Sequence, residues 1–87
     1  MTRPKQAAGI VLDFYEAGDA LPRGYTYART LAAMYARIER EETRIAWPGP
    51  CAVERIEAWR MGAHGRIVIG MWIRDRAGAF VRPERAA

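Results

Sequence analysis

The run Arg66-Ile67-Val68-Ile69-Gly70-Met71-Trp72-Ile73-Arg74 is the longest β-favouring stretch in the chain, and it limits what the rest can fold into. Ile67, Ile69, Met71 and Ile73 fall on one face at period two, while Arg66, Val68, Gly70, Trp72 and Arg74 fall on the other. The first set predicts a core face. The second, an indole and a valine between guanidiniums, predicts a face that is partly covered or built to be covered by a partner. An isolated hairpin is marginal in water, so a strand apolar on much of both faces calls for a neighbour on each side. Residues 53–60 and 79–82 supply those neighbours, through turns at Gly62-Ala63-His64-Gly65 and Arg76-Ala77-Gly78. Pro83 closes the last strand.

Residues 25–44 predict the main helix. Tyr27 or Ala28, Leu31, Met34 with Tyr35, and Ile38 form an apolar stripe at helical spacing, and Thr26 is the expected N-cap. Arg29, Arg37, Arg40, Glu41 and Arg44 read as a solvated face on which Arg37 and Glu41 pair one turn apart. Trp47-Pro48-Gly49-Pro50 breaks the helix. Residues 7–17 support two readings. Gln6, Gly9, Asp13 and Glu16 recur at helical steps, which slightly favours a first helix, whereas Ile10, Leu12 and Phe14 alternate as in an edge strand. Residues 53–60 fit a short helix after Pro50 as well, but the need of residues 66–74 for a partner makes them a strand. The expected class is α+β: one or two helices on a three-stranded antiparallel β-meander, packed over the Ile67/Ile69/Met71/Ile73 face. A length of 87 residues implies one small domain over residues 1–87, with 1–5 and 84–87 as frayed tails.

Apolar residues at 51% and charged residues at 28% fit a globular chain. No apolar run approaches the roughly 20 residues of a membrane helix, and no signal-peptide core follows Met1, so a cytoplasmic, membrane-free protein is expected. The net charge is +4, and the excess lies in residues 65–87. Clustered positive charge favours an acidic protein surface or nucleoprotein complex as partner, with nucleic acid itself as the alternative. The exposed faces allow a monomer or a homodimer.

Little in the chain points to catalysis. His64, between Arg60 and Arg66, could present an imidazole to a phosphodiester, but a turn residue without a paired base is the simpler reading. Cys51 lacks an activating base in sequence and reads as a small buried or half-buried residue. One Cys and one His cannot make a four-ligand zinc site, so no metal and no cofactor are expected. The glutamates 39, 41, 42, 54 and 57 are interleaved with arginines, as in surface ion pairs. The more persuasive constellation is the second face of residues 66–74. Arg66, Trp72 and Arg74, with Arg76 at the turn and Arg82 alongside, form the expected partner-binding set, and Gly70 leaves room for close approach. Arginine and tryptophan are the residue types most enriched at binding hot spots.

Two resemblances bear on function. Leu31-Ala32-Ala33-Met34-Tyr35-Ala36-Arg37-Ile38 followed by Thr43-Arg44-Ile45-Ala46-Trp47 resembles a helix-turn-helix unit of transcription regulators, with residues 66–82 as a hairpin wing; Ala36-Arg37 stands where the turn glycine belongs. In build, a helix over a short meander with an arginine and aromatic surface, the chain resembles the small phage-encoded inhibitors of the anti-CRISPR type. That resemblance implies a non-enzymatic protein that binds stoichiometrically and occludes a functional surface of a nucleoprotein complex.

Overall fold

The structure is a computed structural model that describes residues 9–83. Its elements are β1 (Ile10–Glu16), β2 (Gly24–Ala28), α1 (Leu31–Arg44), β3 (Val53–Gly62), β4 (Gly65–Arg74) and β5 (Phe80–Val81). All strand pairs are antiparallel, and the sheet order is β2-β1-β3-β4-β5. The class is α+β. The sheet has five strands rather than the expected three, because two segments given helical character by their spacing are strands.

The first of these is β1, which pairs with β2 on one side and β3 on the other and so lies inside the sheet, not at its edge. Ile10 and Leu12 are buried on one face, and Asp13 and Tyr15 on the other. Polar residues at helical steps misled here, because Asp13 is buried in a cross-strand contact instead of solvated. The second is β2, where Tyr25, Thr26 and Tyr27 are β-formers at period two. The helix begins only at Leu31, and Thr30, not Thr26, caps it by accepting a 3.0 Å hydrogen bond from the Ala33 N–H. Its buried stripe is Met34, Ile38 and Glu41. Glu41 pairs with Arg44 at 2.9 Å rather than with Arg37. Arg37 Nε is buried and meets no acceptor, a state that costs about 1–3 kcal/mol when nothing relieves it.

The faces of β4 are the reverse of the expected ones only over residues 70–74; Arg66 and Val68 keep the outward side. Trp72 and Arg74, at 4% and 8% exposure, lie against the core beneath α1, whereas Met71 and Ile73 lie on the other side with Glu57 and Arg55. Ile56 pairs with Trp72 and Ala58 with Gly70, so these residues share the helix-side face. A register shift between Ala58 and Trp59 then leaves Ile69 as an extra residue and puts Val68 opposite Trp59. Alternating isoleucines hid this, because one indole buries more area than any of them. Gly70 provides room for that indole. A Cβ there would lie 3.0 Å from the Trp72 ring and 3.1 Å from the Arg82 guanidinium.

Arg74 ties the elements together. Its Nε donates to the Val53 carbonyl at 2.7 Å, Nη1 to the carbonyls of Gly78 at 2.7 Å and Glu42 at 3.0 Å, and Nη2 to that of Glu41 at 3.3 Å. The Phe80 ring lies 4.3 Å from the guanidinium carbon. Burial pushes the group below its ordinary pKa, yet guanidinium stays charged in proteins. A positive charge at the C-terminal turn of α1 also opposes the negative end of the helix dipole. Arg74→Met keeps the apolar stem but leaves four carbonyls without this donor; it is expected to lower unfolding free energy by about 3 kcal/mol or more, read as a shift in the urea midpoint.

The β1–β2 turn is closed by Asp19, which accepts from the Glu16 N–H and from Arg23, each at 2.9 Å. The Arg23 hydrogen bond, followed by that of Glu16, holds the Asp19 carboxyl below its ordinary pKa. A depressed carboxyl contributes stability above its unfolded pKa and loses it as pH falls through the folded value. In acid titration, Asp19→Asn should therefore lower the neutral plateau, leave stability in acid nearly unchanged, and so flatten the low-pH limb.

Candidate functional site

α1 covers one face of the sheet, and no described element covers the other. Strand register fixes what that second face presents. Tyr27, Val11, Trp59 and Val68 are successive partners across β2, β1, β3 and β4 and form one row. With strands about 4.8 Å apart, the row spans roughly 14 Å. The next row is Tyr25, Asp13, Glu57 and Met71, and the third is Tyr15, Arg55, Ile73 and Val81. Met61, opposite Arg66, extends the face beyond Trp59. Tyr25 (64%), Val68 (54%), Met61 (52%) and Tyr27 (48%) are its most exposed large side chains.

The inner aromatics of this face are fixed and capped. Trp59 Nε1 donates to Asp13 Oδ2 at 2.9 Å, and the Arg66 guanidinium lies 3.9 Å over the indole. Arg55 lies 3.9 Å over Tyr15 in the same manner. Tyr25 and Tyr27 instead meet edge to face at 5.6 Å on the edge strand, and their rings remain substantially open. The result is a hydrogen-bonded centre, a cover of two arginines, and an aromatic and apolar rim.

The expected binding set does not form one surface. Arg66 lies on the uncovered face, at the opposite end of β4 from Arg76, which is exposed in the β4–β5 turn. Trp72 and Arg74 are buried on the helix side and act within the fold. Arg82 is half-buried on that side too, with its guanidinium 5.3 Å from the Trp72 ring and a 3.4 Å hydrogen bond to the Ile69 carbonyl. The space at Gly70 is filled by Trp72 and Arg82 rather than left for a partner.

Residues 31–44 are one uninterrupted helix and Ile45 is extended, so the second helix of a helix-turn-helix unit is absent among the described residues. Cys51 is exposed, not buried. His64 is exposed in the β3–β4 turn, and its flanking Arg60 and Arg66 occupy opposite faces, since Arg60 pairs with Ile67 and Arg66 with Met61. Among the described residues, no three His, Cys, Asp or Glu side chains group as metal ligands. No described helix is long and apolar enough to cross a membrane.

Sequence reasoning missed Tyr25, Tyr27, Trp59, Met61 and Val68 as a group. The signal available was the Tyr-Thr-Tyr alternation, which the helical stripe read from Tyr27 or Ala28 obscured. Comparison with protein-family models, curated proteins and solved structures finds no match. Trp72→Ala should act on folding: a loss of about 3–5 kcal/mol in unfolding free energy is expected for a buried indole, measured by chemical denaturation, with Trp72→Phe losing less.

Proposed function

We propose that the chain is a non-enzymatic binding protein that acts by stoichiometric protein–protein interaction through the uncovered face of its sheet. The carrying observation is the cross-strand row Tyr27, Val11, Trp59 and Val68, bordered by exposed Tyr25 and Met61. Aromatics, methionine and arginine are enriched at protein interfaces, and a strand-borne array loses little conformational freedom on binding. In the finer form of this reading the partner belongs to a nucleoprotein complex, and the bound face occludes one of its functional surfaces.

A single-stranded nucleic acid would use such a face differently. Bases stack on open rings, and phosphates follow guanidiniums. Here Arg66 and Arg55 already lie over Trp59 and Tyr15, and the middle row carries the carboxylates Asp13 and Glu57. Those features favour a protein partner with apolar and basic groups of its own.

The test places a photo-crosslinking amino acid at position 27, on the face, and separately at position 35, on the exposed side of α1, in cells of the native host. A discrete protein crosslinked from position 27 only, and lost when Tyr25→Ala and Met61→Ala are added, is the expected outcome. Each alanine should cost on the order of 1–2 kcal/mol in binding. Crosslinks to nucleic acid from position 27, together with steep weakening in salt, would overturn it in favour of the nucleic-acid reading.

A further inference from the structure

On the opposite side of the sheet, α1 and the edge strand β2 enclose a cavity of about 330 Å³ lined by Phe14, Gly24, Tyr25, Thr26, Arg37, Arg40, Glu41 and Arg44. Gly24, Arg40 and Arg44 are exposed at its border, so it opens to solvent. Its chemistry is set by three arginines in different states. Arg37 is half-buried and its Nε–H has no acceptor. Arg40 makes no ion pair or side-chain hydrogen bond among the described residues. Arg44 uses Nε on both Glu41 oxygens, each at 2.9 Å, and its terminal amino groups make no hydrogen bond among the described residues.

We propose that this cavity is a binding site for a phosphomonoester. Three arginines against one glutamate give the lining a net charge of +2, the complement of a phosphomonoester, which carries about −1.5 to −2 at neutral pH and offers three acceptor oxygens. Glu41 pairs through both oxygens with Arg44, so the net charge is carried by Arg37 and Arg40. Arg37 Nε is sealed from solvent, so a phosphate oxygen becomes the acceptor it lacks when the Arg37 side chain turns into the cavity. Guanidinium forks suit phosphate oxygens in bidentate geometry, and desolvation at a half-buried group strengthens each bond. The volume lies at the small end of ligand pockets, which leaves room for an organic group beside the phosphate, against Phe14. A free phosphorylated metabolite and a phosphorylated side chain share this chemistry. Tyr25, on the edge strand, borders both this cavity and the uncovered face, but the three arginines of the cavity lie on the helix side, and the proposal does not depend on the function of the uncovered face.

The experiment is a ¹⁵N NMR titration of the full chain with inorganic phosphate, AMP, adenosine and a phosphoserine peptide, at constant ionic strength set with chloride. The expected result is a saturable movement of the Arg37 Nε–H and the Gly24 and Thr26 amides with AMP or the phosphopeptide, with Kd below about 1 mM, and none with adenosine. Whichever of the two binds tighter identifies the source of the phosphate. Arg37→Gln and the exposed Arg40→Gln should each raise Kd roughly tenfold, followed on the Gly24 and Thr26 amides. Arg40→Gln keeps the test open should Arg37→Gln fail to fold, and His64→Ala, in the exposed β3–β4 turn, should leave Kd unchanged. No saturable movement up to about 10 mM phosphoester, or equal movement with chloride alone or in Arg40→Gln, would overturn the proposal.

Discussion

The buried guanidinium of Arg74 is the interaction on which the arrangement depends. Four carbonyls from three separate places, the end of α1, the start of β3 and the β4–β5 turn, converge on one planar donor group. Three of these four hydrogen bonds are buried, and an unsatisfied buried acceptor is expensive. Arg74 therefore sets where α1 ends relative to the sheet. Glu42 reinforces that junction by accepting the Phe80 N–H at 2.7 Å, and the brief strand β5 is held by this contact as much as by its own pairing.

Anchoring the helix at that corner decides which face of the sheet is left free. A 14-residue helix is about 21 Å long and roughly 10 Å across, whereas five strands span about 19 Å. One helix can bury a single face along its own line and no more. Tyr35 leans toward β4, where its ring meets Trp72 edge to face at 6.0 Å, and Arg37, Arg40 and Arg44 lean toward β2. The helix thus seals the β4 side with aromatics and leaves the β2 side as a basic-lined cavity. The second face, with no helix to cover it, carries aromatics capped by arginines. Exposed aromatic surface of that extent is uncommon where nothing binds it.

Much of the fold was legible in local chemistry, and the misreadings have physical causes. In the β3–β4–β5 meander, β4 followed from strong period-two patterning between glycine-bearing turns, and β3 followed from the need of β4 for a neighbour. The helix core at Met34 and Ile38 followed from 3.6-residue spacing, and only its start was displaced, because Thr26 and Thr30 both qualify as caps and only tertiary pairing of Tyr25 and Tyr27 with β1 separates them. In residues 10–16, helical spacing of polar residues competed with alternation of apolar ones, and burial of Asp13 beneath Trp59 made the polar pattern uninformative. The sidedness of β4 was the consequential error. It moved Trp72 and Arg74 from a proposed surface into the core, and it could not be read locally, since the bulge at Ile69 depends on pairing with β3.

Arginine occurs here in at least three physical states that composition cannot distinguish. Arg74 is desolvated and saturated with carbonyl acceptors, so it stabilises the fold and offers nothing to a partner. Arg66 and Arg55 are spread over aromatic rings, where the cation is satisfied by a π face and can be exchanged for a partner's acceptor at modest cost. Arg37 is half-buried with an unmet N–H, and that donor gains most from an incoming anion. A net charge of +4 is therefore a poor guide to where this protein attracts a ligand. The acceptors already in place around each guanidinium decide it, and those acceptors are supplied by tertiary contacts between segments far apart in the chain.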